Sequence, residues 1–139
     1  MSTNDITLAI AQRLLADSGV SALVGNRVRP LALDQTDELP AIVYSLVTTD
    51  AWHALSGGTY GARTRIQFFC YGESLEDSVS VASAIMGSLD GFRGDAGNLF
   101  VSSSMLDNSY DMVDPPTKGS AAWRFRRVVD FTICHNVIT

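Results

Sequence analysis

Within thirty residues, from Arg63 to Phe92, the spacing of apolar side chains changes from two to about three and a half. In RTRIQFFCY, Thr64, Ile66, Phe68 and Cys70 fall on one side, and Arg63, Arg65, Gln67, Phe69 and Tyr71 on the other. That alternation predicts a strand with one apolar face and one mixed face. Gly72 breaks it. Ser74 is placed to N-cap a helix, with Asp77 three residues on in a weakened capping box and Glu76 beside it in the first turn. Leu75, Val79, Ala82, Ile85, Met86 and Leu89 then recur at helical spacing, with Ser78, Ser80, Ser83, Ser88 and Asp90 opposite, and Gly91 ends the helix. A strand feeding an amphipathic helix through a tight turn lays the helix back across its own sheet. The rest of the chain must fold around that packing.

The 139 residues suit a single domain spanning 1–139. A chain of this length buries roughly 68–70% of its unfolded surface, enough for a core without metals or disulfides. With 46% hydrophobic and 18% charged residues it is neither disordered nor fibrous in composition. No apolar run reaches the roughly 18 residues of a membrane span, and MSTNDITLAIAQRLL lacks the basic start of a signal peptide. Synthesis and folding in a cytoplasm are expected. Cys70 and Cys134 fall in predicted strands and are expected to be reduced core thiols.

Taken in order, Thr3–Asp17 predicts a first helix, capped by Thr3, Asn4 or Asp5, with Ile6, Ala9, Ile10 and Leu14 as its stripe and Leu8 and Leu15 as candidate additions to it. Val20–Val24 predicts a helical turn. Arg27-Val28-Arg29 is a short extended piece that runs into Pro30, which suits a sheet edge. Ala32–Leu39 is an acidic loop, and Ala41–Thr49 a β-branched strand apolar on both faces. Asp50–Ala62, with three glycines and Trp52, His53 and Tyr60, predicts a long hairpin tip. After the helix come a glycine-rich turn over Arg93–Asn98 and a strand over Leu99–Met112, bulged or at an edge. An exposed turn over Asp114–Ser120 leads to a last strand, Ala121–Val137. In it Trp123, Phe125, Val129, Phe131 and Ile133 share the apolar face, which Arg127 interrupts, and Trp123 is expected in the core. The fold class is therefore α+β, a mostly antiparallel sheet with two main helices on one face, in the order α-β-β-β-α-β-β.

The residues hold little chemistry. His53 and His135 are far apart, no Cys-x-x-Cys exists, and no phosphate-binding GxxxxGK[ST] or nucleophile-elbow motif is present. The SGGTYG run follows no strand-to-helix step, so it reads as a hairpin tip rather than a phosphate cradle. Asp34, Asp37 and Glu38 read as a solvated segment. No catalytic residue, cofactor or metal site is expected. A small hydrolase or ligand-binding domain built around His53 and Trp52 is the weakest of the functional alternatives, because no titratable group converges on them.

Contact is the stronger expectation. The net charge is −5, which disfavours sequence-independent DNA binding, and nine of the ten basic residues are arginine, Lys118 being the sole lysine. Arginine suits protein interfaces through its planar, weakly hydrated fork. Trp52, His53 and Tyr60 at the hairpin tip and Arg63, Arg65, Arg124 and Arg126 on two strands are the candidate interface residues. If those strands are neighbours, the four arginines form one basic face that meets an acidic edge of another copy. The plainer alternative pairs them locally with Asp107, Asp111 or Asp130.

Three stretches resemble the tail-terminator, or tail-completion, proteins of long-tailed bacteriophages and gene-transfer agents. They are ADSGVSALVGNRV at 16–28, LPAIVY at 39–44, and the strand–helix unit from Arg65 to Phe92, closed by the final alternating strand. The resemblance implies a structural virion protein of α+β fold without catalytic residues. It implies a ring, usually a hexamer, that caps the tail tube, ends its polymerisation and offers the head–tail joining surface. The implied partners are other copies of the chain, the tail tube protein and the head–tail connector, with genome DNA passing through the lumen without specific binding. No membrane is involved, and the implied place is the tail top or neck of the virion. A neck or head-completion adaptor is the nearest alternative.

Overall fold

Asp5 starts the first helix, α1 (Ile6–Ala16), by accepting the Thr7 and Leu8 amides on its side-chain oxygen at 2.9 and 3.1 Å. Ile6, Ala9, Ile10, Ala11 and Leu14 form its buried stripe, while Leu8 and Leu15 face outwards. Asp17 ends α1 and caps α2 (Ser18–Val24), so the expected helical turn is a second helix of seven residues. The strands are β1 (Val28–Pro30), β2 (Ala41–His53), β3 (Thr59–Gly72), β4 (Gly94–Ala96), β5 (Leu99–Asp114) and β6 (Arg124–Asn136), with α3 (Leu75–Leu89) between β3 and β4. The computed structural model describes residues 3–33, 37–53, 55, 58–116 and 123–137.

The fold is mixed α+β, and the six strands lie in the order β1-β2-β3-β6-β5-β4. Four of the five pairings are antiparallel, as expected, but β1 lies parallel to β2, so the sheet is mixed. The ten residues between Pro30 and Ala41 let the chain return to its starting end, which a tight hairpin cannot do. Pro30 sits on the edge strand. The element order also gains β4, three residues within the expected glycine-rich turn. Its tight turn into β5 approaches α1 closely: the Asn98 amide donates to Thr3 O at 2.8 Å, and a side chain at Gly97 would lie 2.7 Å from that oxygen.

All three helices pack on one face of the sheet. The core joins Ile10, Leu14, Val20 and Val24 to Ile42, Ile66, Phe68 and Cys70, to Val129, Phe131 and Ile133, and to Val81, Ala82, Ile85 and Leu89. Phe68 and Phe131 meet edge to face, ring centres 6.0 Å apart. The strand–helix unit is as its sequence predicts, with Ser74 capping α3 through the Asp77 amide at 3.2 Å. The buried stripe of α3 is rotated, however. It runs Ser78, Val81, Ala82, Ile85, Ser88, Leu89, while Leu75 is exposed. Small serines let the helix approach the sheet, and Ser78 satisfies its hydroxyl on Leu75 O at 2.8 Å.

Two other expectations are corrected. Most of the long hairpin tip is strand: β2 and β3 stay paired as far as His53 with Thr59. Trp123, expected in the core, is exposed beside the far end of β5, beyond the reach of the helices. Strand β5 carries two register shifts, at Val101/Ser103 and Leu106/Asn108, as its polar middle predicted.

Gly72 is the steric key to the strand–helix turn, since a Cβ there would lie 2.8 Å from both Asp77 Cβ and the Ser78 amide. Gly72→Ala is expected to cost about 1–3 kcal/mol by overpacking. Ser74→Ala, losing only the cap, should cost about 1 kcal/mol. Urea midpoints at constant slope compare the two.

Candidate functional site

Among the described residues no helix lies on the opposite face of the sheet. Register places Ala41, Val43, Ser45, Thr48, Asp50 and Trp52 of β2 on it, with Arg63, Arg65, Gln67, Phe69 and Tyr71 of β3. Strand β6 adds Arg126, Val128, Asp130, Thr132 and Cys134, and β5 adds Asn108, Tyr110, Met112 and Asp114. Ala41, Val43 and Val128 are buried here, yet outside the core under the helices. Cys134 lies on this face too, so only Cys70 is a core thiol; both are free. Burial pushes the Cys70 thiol well above its usual range, which leaves it protonated and inert.

Strands β3 and β6 are neighbours, as the basic-face expectation required, but their antiparallel register separates the arginines. Arg63 lies opposite Cys134, and Arg126 opposite Tyr71. Eight residues along β3 separate these levels, ~26 Å at 3.3 Å per residue. At one end Arg63 meets Asp50 across the β2–β3 pair at 3.5 Å, and Arg65 meets Asp107 at 3.6 Å. Thr132 donates its hydroxyl to the same Asp107, and Thr48 completes the lining of a shallow polar hollow. At the other end Arg126 binds Asp114 at 3.0 Å, donates to the Tyr71 hydroxyl at 3.5 Å, and lies over the Phe69 and Tyr71 rings. Arg127, on the helix side, forms a two-pronged pair with Asp111 at 2.7 and 2.8 Å. The plainer expectation therefore holds for Asp107, which meets Arg65, whereas Asp111 takes Arg127 from outside the four. It fails for Asp130, which is buried between Gln67 and Asn108 with its Oδ1 unpartnered. Arg124 has no acidic partner among the described residues. By register the face carries four arginines (63, 65, 124, 126) and four aspartates (50, 107, 114, 130), so it is balanced rather than basic.

The hairpin aromatics sit on paired strands. Trp52 covers Gly61, where a Cβ would lie 2.7 Å from its ring, and meets Tyr60 at 6.4 Å between ring centres. Trp52, His53 and Tyr60 are all exposed. Asp37, expected to be solvated, is instead held by Arg29 at 3.0 Å with its side chain nearly buried, while Glu38 is exposed. Asp34 and Lys118 lie outside the described residues.

His135 is buried on the helix side. Its Nδ1–H donates to Asn136 O at 2.7 Å, so Nε2 accepts the Thr64 hydroxyl at 2.8 Å. Thr64 in turn lies 3.2 Å from Thr49 Oγ1. Burial lowers the His135 pKa and favours this neutral form. No group of three or more metal-ligating side chains occurs among the described residues, and no helix there is long and apolar enough to cross a membrane.

The sequence profile of the family described as tail completion protein gp17 matches residues 8–135, nearly the whole of the chain described above. The chain belongs to that family. No curated protein matches it. Its fold is similar to a chain from the solved virion of a native gene transfer agent particle. The TM-score is 0.62 at 20% identity, over 95% of this chain and 93% of that one. A tail-completion protein is a structural component of a phage or gene-transfer-agent virion tail.

Two titrations test the polar contacts. The Arg127 hydrogen bonds hold Asp111 below the usual carboxylate range, so its stabilising pairing is present above the unfolded value near 3.9 and lost as pH falls through the lowered one. Asp111→Asn is expected to lose less thermal stability than the parent between pH 5 and pH 3. His135, with its pKa lowered by burial, binds its proton more weakly folded than unfolded. Stability is expected to fall as pH drops below about 6.5 and to level off below the folded pKa. His135→Gln should flatten that part of the Tm profile.

Proposed function

We propose that this tail-completion protein assembles as a ring, of six copies, on the finished tail tube, where it stops tube growth and forms the surface to which the head connector docks. The observation that carries this is the family match over residues 8–135. The shared fold with a chain of a gene-transfer-agent virion supports it. The helix-free sheet face, bearing equal numbers of arginines and aspartates, supports contact rather than chemistry. The hairpin aromatics Trp52 and Tyr60, with His53, are the anchors we assign to contacts with tube or connector, since exposed tryptophan and tyrosine dominate protein interfaces. Arg63, Arg65, Arg124 and Arg126 serve the same surface, three of them as half of an ion pair whose geometry orients both partners. Genome DNA passes through the lumen without specific binding, consistent with the net charge of −5. The site of action is the tail top of the virion, after assembly in the host cytoplasm.

Deleting the protein from its particle is expected to give overlong tail tubes beside unattached, DNA-filled heads in electron micrographs. Tails of normal length that fail only to join heads would assign it instead to the neck as an adaptor. Wholly normal particles would remove both assignments.

A further inference from the structure

The sheet ends in two open edges. Strand β1 pairs only with Ile42–Tyr44 of β2, and β4 only with Leu99–Val101 of β5. The Leu31 amide closes β2 at Tyr44 O. The end of α3 extends the cover on β5, where Gly91 N–H donates to Ser104 O and Asp90 accepts from Leu106 N–H. Beyond these points, Leu46–His53 of β2 and Asn108–Asp114 of β5 have no outer strand neighbour among the described residues. Their inner pairing is regular nonetheless, from Thr48 to Trp52 against β3 and from Asn108 to Asp114 against β6. Each presents a row of outward amides and carbonyls in strand geometry that no strand among the described residues pairs.

The outward groups can be assigned by alternation. Ile42 and Tyr44 bond towards the β1 side, and Ser104 and Leu106 towards the α3 end. The bulges at Val47 and Asp107 each shift that alternation by one. Thr49 and Ala51 then point outwards on β2, and Ser109, Asp111 and Val113 on β5.

Edges that must stay single are guarded by lysines, prolines or unpaired charge. Neither segment contains a lysine or proline. Asp50, Asp111 and Asp114 are each held by an arginine of the same sheet. Large apolar groups stand exposed instead: Leu46 (51%) and Val47 (49%) on β2, and Tyr110 (40%), Met112 (42%) and Val113 (48%) on β5.

We propose that the two edges pair with each other between copies, Thr48–Trp52 of one copy adding antiparallel to Asn108–Val113 of the next. The occupant is a second copy because the chain itself supplies both halves. Strands β2, β3, β6 and β5 alternate in direction, so continuing the sheet sets β2 of the next copy antiparallel to β5. Thr49 and Ala51 then meet Ser109 and Asp111, all on the helix side, so the helices of both copies stay on one side and the helix-free faces join. Two different edges make a head-to-tail contact, which closes into a ring or continues as a filament. The open segments are also offset: Asp50 is level with Arg63, and Tyr110 with Phe69, six residues along β3. That is ~20 Å at 3.3 Å per residue, and a stagger between strands is what closing a sheet into a barrel requires. The number of copies rests on the ring reading above; the contact does not.

The test uses proline at outward amides, Ala51→Pro on β2 and Ser109→Pro on β5, where the inner ladder is spared. Circular dichroism and urea unfolding confirm that each variant folds. In sedimentation, each variant alone is expected to be monomeric, and an equimolar mixture to give a dimer of twice the monomer mass and nothing larger. Self-association of the Ala51→Pro variant alone, through β5 edges, would overturn the proposal, as would self-association of Ser109→Pro alone, or a mixture that stays monomeric. For particles, Ala51→Cys with Ser109→Cys should give, on oxidation, a ladder of chain multimers absent from the parent. A ladder made only of pairs with another virion protein, or no ladder, overturns it. A ladder in particles that deletion leaves unaffected would retain the contact and remove the tail-cap function.

Discussion

One packing interaction governs the molecule: α3 lying across β3 and β6, with Val81, Ala82, Ile85 and Leu89 over Ile66, Phe68, Val129, Phe131 and Ile133. Each fully buried side chain of this kind contributes about 1.5–3 kcal/mol. An exposed ion pair contributes at most about 1 kcal/mol. The aromatic and aliphatic layer therefore decides where the sheet folds, and the charge pairs only decorate what it leaves outside. The Gly72 turn matters for the same reason, because it sets the helix down on the strand that has just delivered those residues.

The helical layer is too short for the sheet beneath it. The 15 residues of α3 span ~22 Å at 1.5 Å per residue. The 16 residues of β5 reach ~53 Å at 3.3 Å per residue. Strand ends must overhang, leaving Val113 exposed beside Phe125 on the helix side, while Trp52 and Met112 stand exposed on the helix-free face. A chain that served only its own stability would have little use for such exposed aromatics. Tryptophan and tyrosine are enriched among the residues that dominate protein interfaces.

Much of this was legible in the residues. The change of period at Gly72, the Ser74 cap, the edge position of Pro30 and the bulged course of β5 follow from local chemistry; membership of a tail-completion family was legible separately, as a resemblance carried by ordered motifs along the chain. Less legible was the true stripe of α3, because hydropathy ranks Leu75 above Ser78 while the sheet below needed small groups. Trp123 was misplaced for a related reason: alternation says which face a residue takes, not whether anything covers that face. The hairpin was read as loop because its glycines and aromatics resemble a tip, yet backbone pairing continued through them.

The sequence by itself determined the local periods, the caps and turns, and the presence of one strongly apolar sheet face, since each depends on neighbours within a few residues. Tertiary structure alone decided the register of β3 against β6. That register split the arginines into two groups ~26 Å apart at 3.3 Å per residue, and the pairing of the sheet as a whole gave three of the four candidate arginines an aspartate from another strand. It also decided which stretches of β2 and β5 stay unpaired, because the short β1 and β4 cover only three residues each. Both are long-range outcomes, set by how strands distant in sequence align to bury a common core.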